Sequence, residues 1–162
     1  MNQSKSLWKE NKVRFLAEAG IIGALYAILT IILAPISYGQ IQVRIAEALT
    51  ILPLFTPAAI PGLFVGCMVA NIFGGNGPAD IIFGSLASLA AALLTRKMPS
   101  AILAPLPPVL INAVVIGLML NLLYGLPLLV TMGWVGLGQF IACYVLGYPL
   151  ILLLRKHKDR LF

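Results

Sequence analysis

Five polar side chains capable of binding a solute stand inside or at the ends of long apolar runs of this chain: Arg44, Glu47, Asn71, Asp80 and Gln139. Ionisable groups in such surroundings are expensive and serve mostly to line a cavity or to pair with one another. No histidine accompanies the two carboxylates in the apolar segments, and no motif places a nucleophile or a metal ligand beside them, so an acid/base enzyme is disfavoured. What the set can do is recognise: a carboxylate accepts N–H donors, a guanidinium donates, and each amide does both. Simpler uses exist for every member. Arg44 and Glu47, three residues apart, can form an ion pair on one helix face. Asp80 follows Pro78 where a helix N-terminus favours a carboxylate. Asn71 and Asn112 can bond neighbouring helices, and Trp134 can anchor at a membrane interface.

The elements that must position these residues are membrane helices. The chain has 162 residues, 60% hydrophobic and 10% charged, with mean hydropathy +1.01, against about 25% charged in soluble domains. A soluble globule is therefore excluded. At about 20 apolar residues per crossing the length holds about six spans in one membrane domain covering residues 1–162. No G-x-x-x-x-G-K-[ST] loop is present, so the chain does not itself hydrolyse ATP.

Six runs are legible. The first extends from about Phe15 to Ile36 behind Lys5, Lys9, Lys12 and Arg14, and its length and Pro35 favour an uncleaved helix over a signal peptide. Ile45 to Phe73 is broken by Thr56-Pro57-Ala58-Ala59-Ile60-Pro61-Gly62 into two short helices. The fourth covers about Ala79 to Leu94, the fifth about Ala101 to Tyr124 with an irregular first turn at Pro105, Pro107 and Pro108, and the sixth about Leu128 to Leu154. With six spans and both termini cytoplasmic, ten of the 11 Lys and Arg residues lie inside and only Arg44 outside, as the positive-inside bias prefers. The net charge of +6 thus reports topology rather than nucleic-acid binding. On this topology nearly all embedded polar residues, with Gln40, Gln42, Asn121 and Tyr124, fall in the outer half, which predicts a polar pocket open outward and no continuous path for an ion.

Two further patterns bear on packing. Ala19, Gly20, Gly23, Ala24 and Ala27 give overlapping small-x-x-x-small pairs on the first span, and Gly84 and Ser88 repeat the spacing on the fourth. Cys67 and Cys143 lie in apolar runs with no disulfide or metal spacing and read as small core residues. Glu18, near the basic cytoplasmic end, can reach the interface or pair with Arg14 four residues earlier and has no expected substrate role.

The block R-I-x-E-A-L-T-x-L-P-L-F-T-P-A-A-I-P-G from Arg44 to Gly62, followed by Ala70-Asn71-Ile72 and Asp80-Ile81-Ile82-Phe83-Gly84-Ser85-Leu86-Ala87, resembles the QueT family. Members of that family are substrate-binding S components of energy-coupling factor (ECF) vitamin transporters, linked to queuosine precursors. The resemblance implies a six-helix bundle with a substrate pocket near the outer face and no cofactor. It also implies a partner module, a transmembrane coupling subunit with two ATPases, that powers import, and toppling of the whole S component in the membrane. Docking on that module through small residues of the first helix is implied too, with the family's A-x-x-x-A departing here to Gly20-x-x-x-Ala24 beside Ala19, Gly23 and Ala27. The implied substrate is a 7-deazaguanine base. Glu47 is then expected to accept the ring N–H and exocyclic amine, Asp80 to meet an amine substituent, and Asn71 and Gln139 to bond the carbonyl and ring nitrogens. Arg44 would orient Glu47 or contact the base carbonyl, Trp134 or Tyr38 would stack on the base, and the loop from Ser37 to Arg44 would form a lid. Two other functions fit parts of the sequence: an S component for a different small metabolite, and a membrane protein that self-associates through its small-residue faces.

Overall fold

The computed structural model describes residues 2–37, 43–75 and 77–156, and these are mostly helical, joined by turns and short irregular links, without a strand among them. The first helix, α1, runs over Asn2–Ile32, beginning well before the expected start near residue 15 because its basic, polar first third is also helical. It stops short of the expected end. Pro35 lacks an N–H and would press on the carbonyl four residues back, so the chain breaks after Ile32 and resumes as a single turn, α2, over Ala34–Ser37.

The expected second helix is not an α-helix. Ile45–Leu54 forms a 3₁₀ segment of ten residues, a length well above the usual three or four. With about 2.0 Å of rise per residue it spans about 20 Å, and residues three apart eclipse one another. Arg44, Glu47, Thr50 and Pro53 are spaced by three, so the tighter coil stacks them in one line, and the Glu47 N–H bonds to the Arg44 carbonyl at 2.9 Å. Every residue from Ala46 to Pro53 is buried.

The break at residues 55–58 falls where the prolines placed it. The Thr56 hydroxyl accepts the Ala58 N–H at 3.2 Å, and α3 follows over Ala59–Gly74, ending at Gly75 in the left-handed conformation, φ 71°. After Pro78 the chain enters a π segment, Asp80–Gly84, that continues directly into α4, Ser85–Arg96. The region 101–105 is a run of turns, and α5 begins only at Leu106, with Pro107 and Pro108 in the first turn, where their missing N–H groups are tolerated. It starts five residues later than expected, the turns taking up residues 101–105, and ends at Tyr124 as expected. Leu128 to Lys156 is one helical run of 29 residues, made of α6 (Leu128–Phe140), a second π segment (Ile141–Gly147) and α7 (Tyr148–Lys156).

Among the described residues, three helices are long and apolar enough to cross a membrane: Asn11–Ile32, Leu106–Tyr124 and Leu128–Lys156. Ile45–Leu54 and Ala59–Gly74 are shorter apolar helices. Large apolar side chains such as Leu110, Val114, Leu118 and Leu122 of α5 and Leu152 and Leu153 of α7 are exposed, as a lipid-facing surface requires. The protein is a membrane protein.

Backbone contact joins α1 to α3. A Cβ at Gly66 would lie 2.6 Å from the Gly23 carbonyl oxygen, and one at Gly23 would lie 2.8 Å from that of Gly62. The first-span stripe therefore divides: Gly23 and Ala27 are buried and the Ala19 backbone abuts Gly62, whereas Gly20 and Ala24 are exposed. Glu18 closes the same seam near residue 56, accepting from Arg14 Nε and from the Thr56 hydroxyl, each at 2.9 Å. Gly66→Ala should destabilise the protein by about 1 to 3 kcal/mol through backbone overpacking. Gly20→Ala, with nothing within 4 Å of the new methyl, should be neutral or slightly stabilising. Thermal unfolding of the two variants in detergent checks the contrast.

Candidate functional site

The 3₁₀ ladder delivers Glu47 to the middle of the bundle, 1% exposed. Its Oε1 accepts a 2.6 Å hydrogen bond from the hydroxyl of Tyr26 on α1, and its Oε2 accepts a 3.5 Å contact from Asn112 Nδ2 on α5. Gln139, at the end of α6, also interacts with the carboxylate. The main chain beneath is held as well: the Glu47 carbonyl accepts the Thr50 hydroxyl at 2.6 Å and the Cys143 thiol at 3.6 Å. Cys143 Sγ in turn lies 3.7 Å from Gln139 Oε1. Three elements, α1, α5 and α6, thus converge on the carboxylate of a fourth, and the partners that contact it directly, Tyr26, Asn112 and Gln139, are neutral.

A second cluster adjoins the start of the ladder. Arg44 Nη2 forms a 3.3 Å ion pair with Asp80 Oδ2, both side chains being almost fully buried, and Arg44 lies within electrostatic reach of Glu47 as well. Asn71, fully buried near the end of α3, donates through Nδ2 to the Asp80 carbonyl at 2.9 Å and to Cys67 Sγ at 3.5 Å. The π segment makes this corner possible. It opens at Asp80, and Gly84 leaves room for the Asn71 amide, which would lie 2.6 Å from a Cβ there.

The expected site residues are therefore partly gathered. Arg44, Glu47, Asn71, Asp80 and Gln139 are all buried at the two adjoining clusters. The pairing differs from the local expectation, since Arg44 takes Asp80, 36 positions away, as its ion-pair partner rather than Glu47 on its own ladder. Asn71 differs in polarity: its Nδ2 is already engaged and its Oδ1 has no hydrogen-bond partner among the described residues, so it offers an acceptor, not a donor for a carbonyl. Trp134 sits 47% exposed on α6, at the flank of the strip formed by the buried Thr131, Val135, Gly138 and Gln139. Tyr38, Gln40 and Gln42, and with them most of the expected lid, lie outside the described residues.

Tyr26, Thr50 and Cys143 were not legible as site neighbours. A tyrosine in the middle of an apolar helix is itself a signal, because its buried hydroxyl requires a partner. Among the described residues no group of three or more His, Cys, Asp or Glu side chains is placed to hold a metal ion. The two clusters present donors and acceptors of the kind that recognise a polar molecule.

Removing one partner of a buried ion pair strands the other charge. Arg44→Ala should cost about 3 to 5 kcal/mol, whereas the double replacement Arg44→Met with Asp80→Leu should cost markedly less. Unfolding of both variants in detergent tests the coupling.

Comparison with known proteins places this architecture. The model of the QueT transporter family matches residues 16–156. The queuosine precursor transporter QueT of Lactococcus lactis subsp. cremoris (strain MG1363) is 36% identical over 83 residues, a match covering 50% of this chain and 48% of that protein. The aligned region thus spans about half the length of the curated relative. No solved structure matches. The family match takes in the ladder, both π segments and every described member of the two polar clusters, and the chain belongs to the QueT transporter family, a family of transporters and not of enzymes.

Proposed function

We propose that this protein is the substrate-capturing subunit of an ECF-type importer, taking up a queuosine precursor with a 7-deazaguanine base. The observation that carries the reading is Glu47, a buried carboxylate in an apolar helical bundle whose direct partners are neutral side chains from α1, α5 and α6. A guanine-like edge presents a ring N–H beside an exocyclic amine, and a carboxylate is the side chain best suited to accept from such donors. Asn71 Oδ1 supplies a second acceptor. Asp80 holds Arg44 in place, and Arg44 and Gln139 are the donors on hand for the base carbonyl or ring nitrogens. Family membership and the name of the Lactococcus relative support a queuosine precursor as the cargo.

In this reading the helical runs 2–32, 45–54, 59–74, 80–96, 106–124 and 128–156 act as a six-span domain of the bacterial plasma membrane, with both termini cytoplasmic. The basic residues at the chain ends and at Arg96-Lys97 support that orientation. Energy comes from a separate module, a coupling subunit and two ATPases, since the chain carries no phosphate-binding loop. The exposed pair Gly20 and Ala24 provides a flat surface for that module. Toppling of the loaded subunit then carries the pocket to the cytoplasmic side.

Two measurements test the reading. Wild-type protein in detergent should be stabilised by 7-deazaguanine bases and not by riboflavin, thiamine or biotin, following RT ln(1 + [L]/Kd); Glu47→Gln should abolish the shift while the ligand-free protein stays folded. Stabilisation by another metabolite alone would replace the substrate. The second concerns assembly: Gly20→Leu with Ala24→Leu should block co-purification with the coupling subunit and ATPases yet spare base binding, and intact assembly would move the docking face elsewhere.

A further inference from the structure

The two oxygens of Glu47 are held unequally. Oε1 takes a short 2.6 Å bond from Tyr26, whose side chain is fully buried, while Oε2 has the 3.5 Å contact from Asn112, and Gln139 also reaches the carboxylate. A bond of 2.6 Å to an ionised oxygen is at the strong end of the range, whereas 3.5 Å lies beyond the usual N–H···O distance. One oxygen is anchored and the other is loosely covered by a group that presents the same chemistry as a ligand amide or ring N–H.

We propose, resting on the reading of Glu47 as the base-binding carboxylate, that Tyr26 is a positioning residue that fixes Glu47, and that a ligand N–H takes the place of Asn112 at Oε2. The supports of the two side chains suit these roles. Tyr26 belongs to the α1 face that packs toward α3, near the close contact of Gly23 with Gly62 and Gly66, so its hydroxyl is carried by a helix held main chain to main chain at that contact. The Glu47 backbone is pinned independently by Thr50 and Cys143. With backbone and Oε1 both fixed, the carboxylate cannot rotate to follow a ligand, and Oε2 points where Asn112 now sits. Asn112, by contrast, gives up only a long contact on leaving.

The test is calorimetric titration of 7-deazaguanine into detergent-solubilised full-length protein, alongside ligand-free unfolding. Tyr26→Phe should weaken binding by about tenfold or more, the scale of one hydrogen bond to a charged group. Asn112→Ala should tighten it by about twofold to tenfold, because the base no longer competes for Oε2. The opposite signs separate the proposal from a purely structural role, which would lower the ligand-free unfolding temperature in both variants without moving affinity in opposite directions. Unchanged or weakened binding in Asn112→Ala would overturn the proposal, and that variant decides the matter even if Tyr26→Phe does not fold. Wild-type affinity in Tyr26→Phe would overturn it too. Failure of the underlying reading looks different: the wild type would ignore the base, or Glu47→Gln would bind it normally.

Discussion

Everything inside this bundle is arranged around the cost of burying Glu47. A carboxylate taken from water into a membrane interior is tolerable only when its oxygens are satisfied, and the partners here come from different helices far apart in sequence: Tyr26 is 21 positions away and Asn112 is 65. Each bond therefore fixes the depth and rotation of a helix relative to the 3₁₀ ladder. Apolar packing alone gives lipid-embedded helices little preference for one register over another, because lipid tails are as apolar as Leu. The polar centre supplies the register. Arg44 and Asp80 extend the same constraint to the π segment at the head of α4.

Close backbone packing complements that centre. Gly23, Gly62 and Gly66 let α1 and α3 touch main chain to main chain, which leaves no room for side chains to adjust the spacing. The same helix thus has a side committed to the interior and another, with Gly20 and Ala24, that meets the surroundings. Since Tyr26 projects from the committed side six positions beyond Gly20, about 9 Å along the axis, a body pressed on the outer side bears on a helix that also holds Glu47.

Much of this was legible in the residues. The all-helical membrane character, the break at Thr56–Pro57 and the burial of both cysteines follow from composition and proline placement, and the Arg14–Glu18 ion pair follows from helical spacing. So did the identity of Arg44, Glu47, Asn71, Asp80 and Gln139 as buried polar groups, because charge and amide stand out in apolar runs. Their pairing was not legible, since helical spacing near Arg44 suggests Glu47 and only the fold brings Asp80 across. Nor was the 3₁₀ coil or either π segment: short apolar stretches carry no periodic signal strong enough to separate a three-residue from a 3.6-residue repeat. Trp134 shows the same gap, for an indole suits an interface or a pocket equally well until the facing of α6 is known.

The ladder's pitch has a further meaning for how this stretch can vary. In a coil of three residues per turn, one inserted or deleted residue between Arg44 and Thr50 rotates everything beyond it by about 120°, exchanging the polar line for Ala46 and Leu49 or for Ala48 and Ile51. Substitutions along the buried faces change volume and are partly absorbed by neighbours. A change of length is not, because it would turn Glu47 or Thr50 away from fixed partners on other helices. The residue count from Arg44 to Pro53 is thus as much a part of the buried polar centre as the side chains it carries.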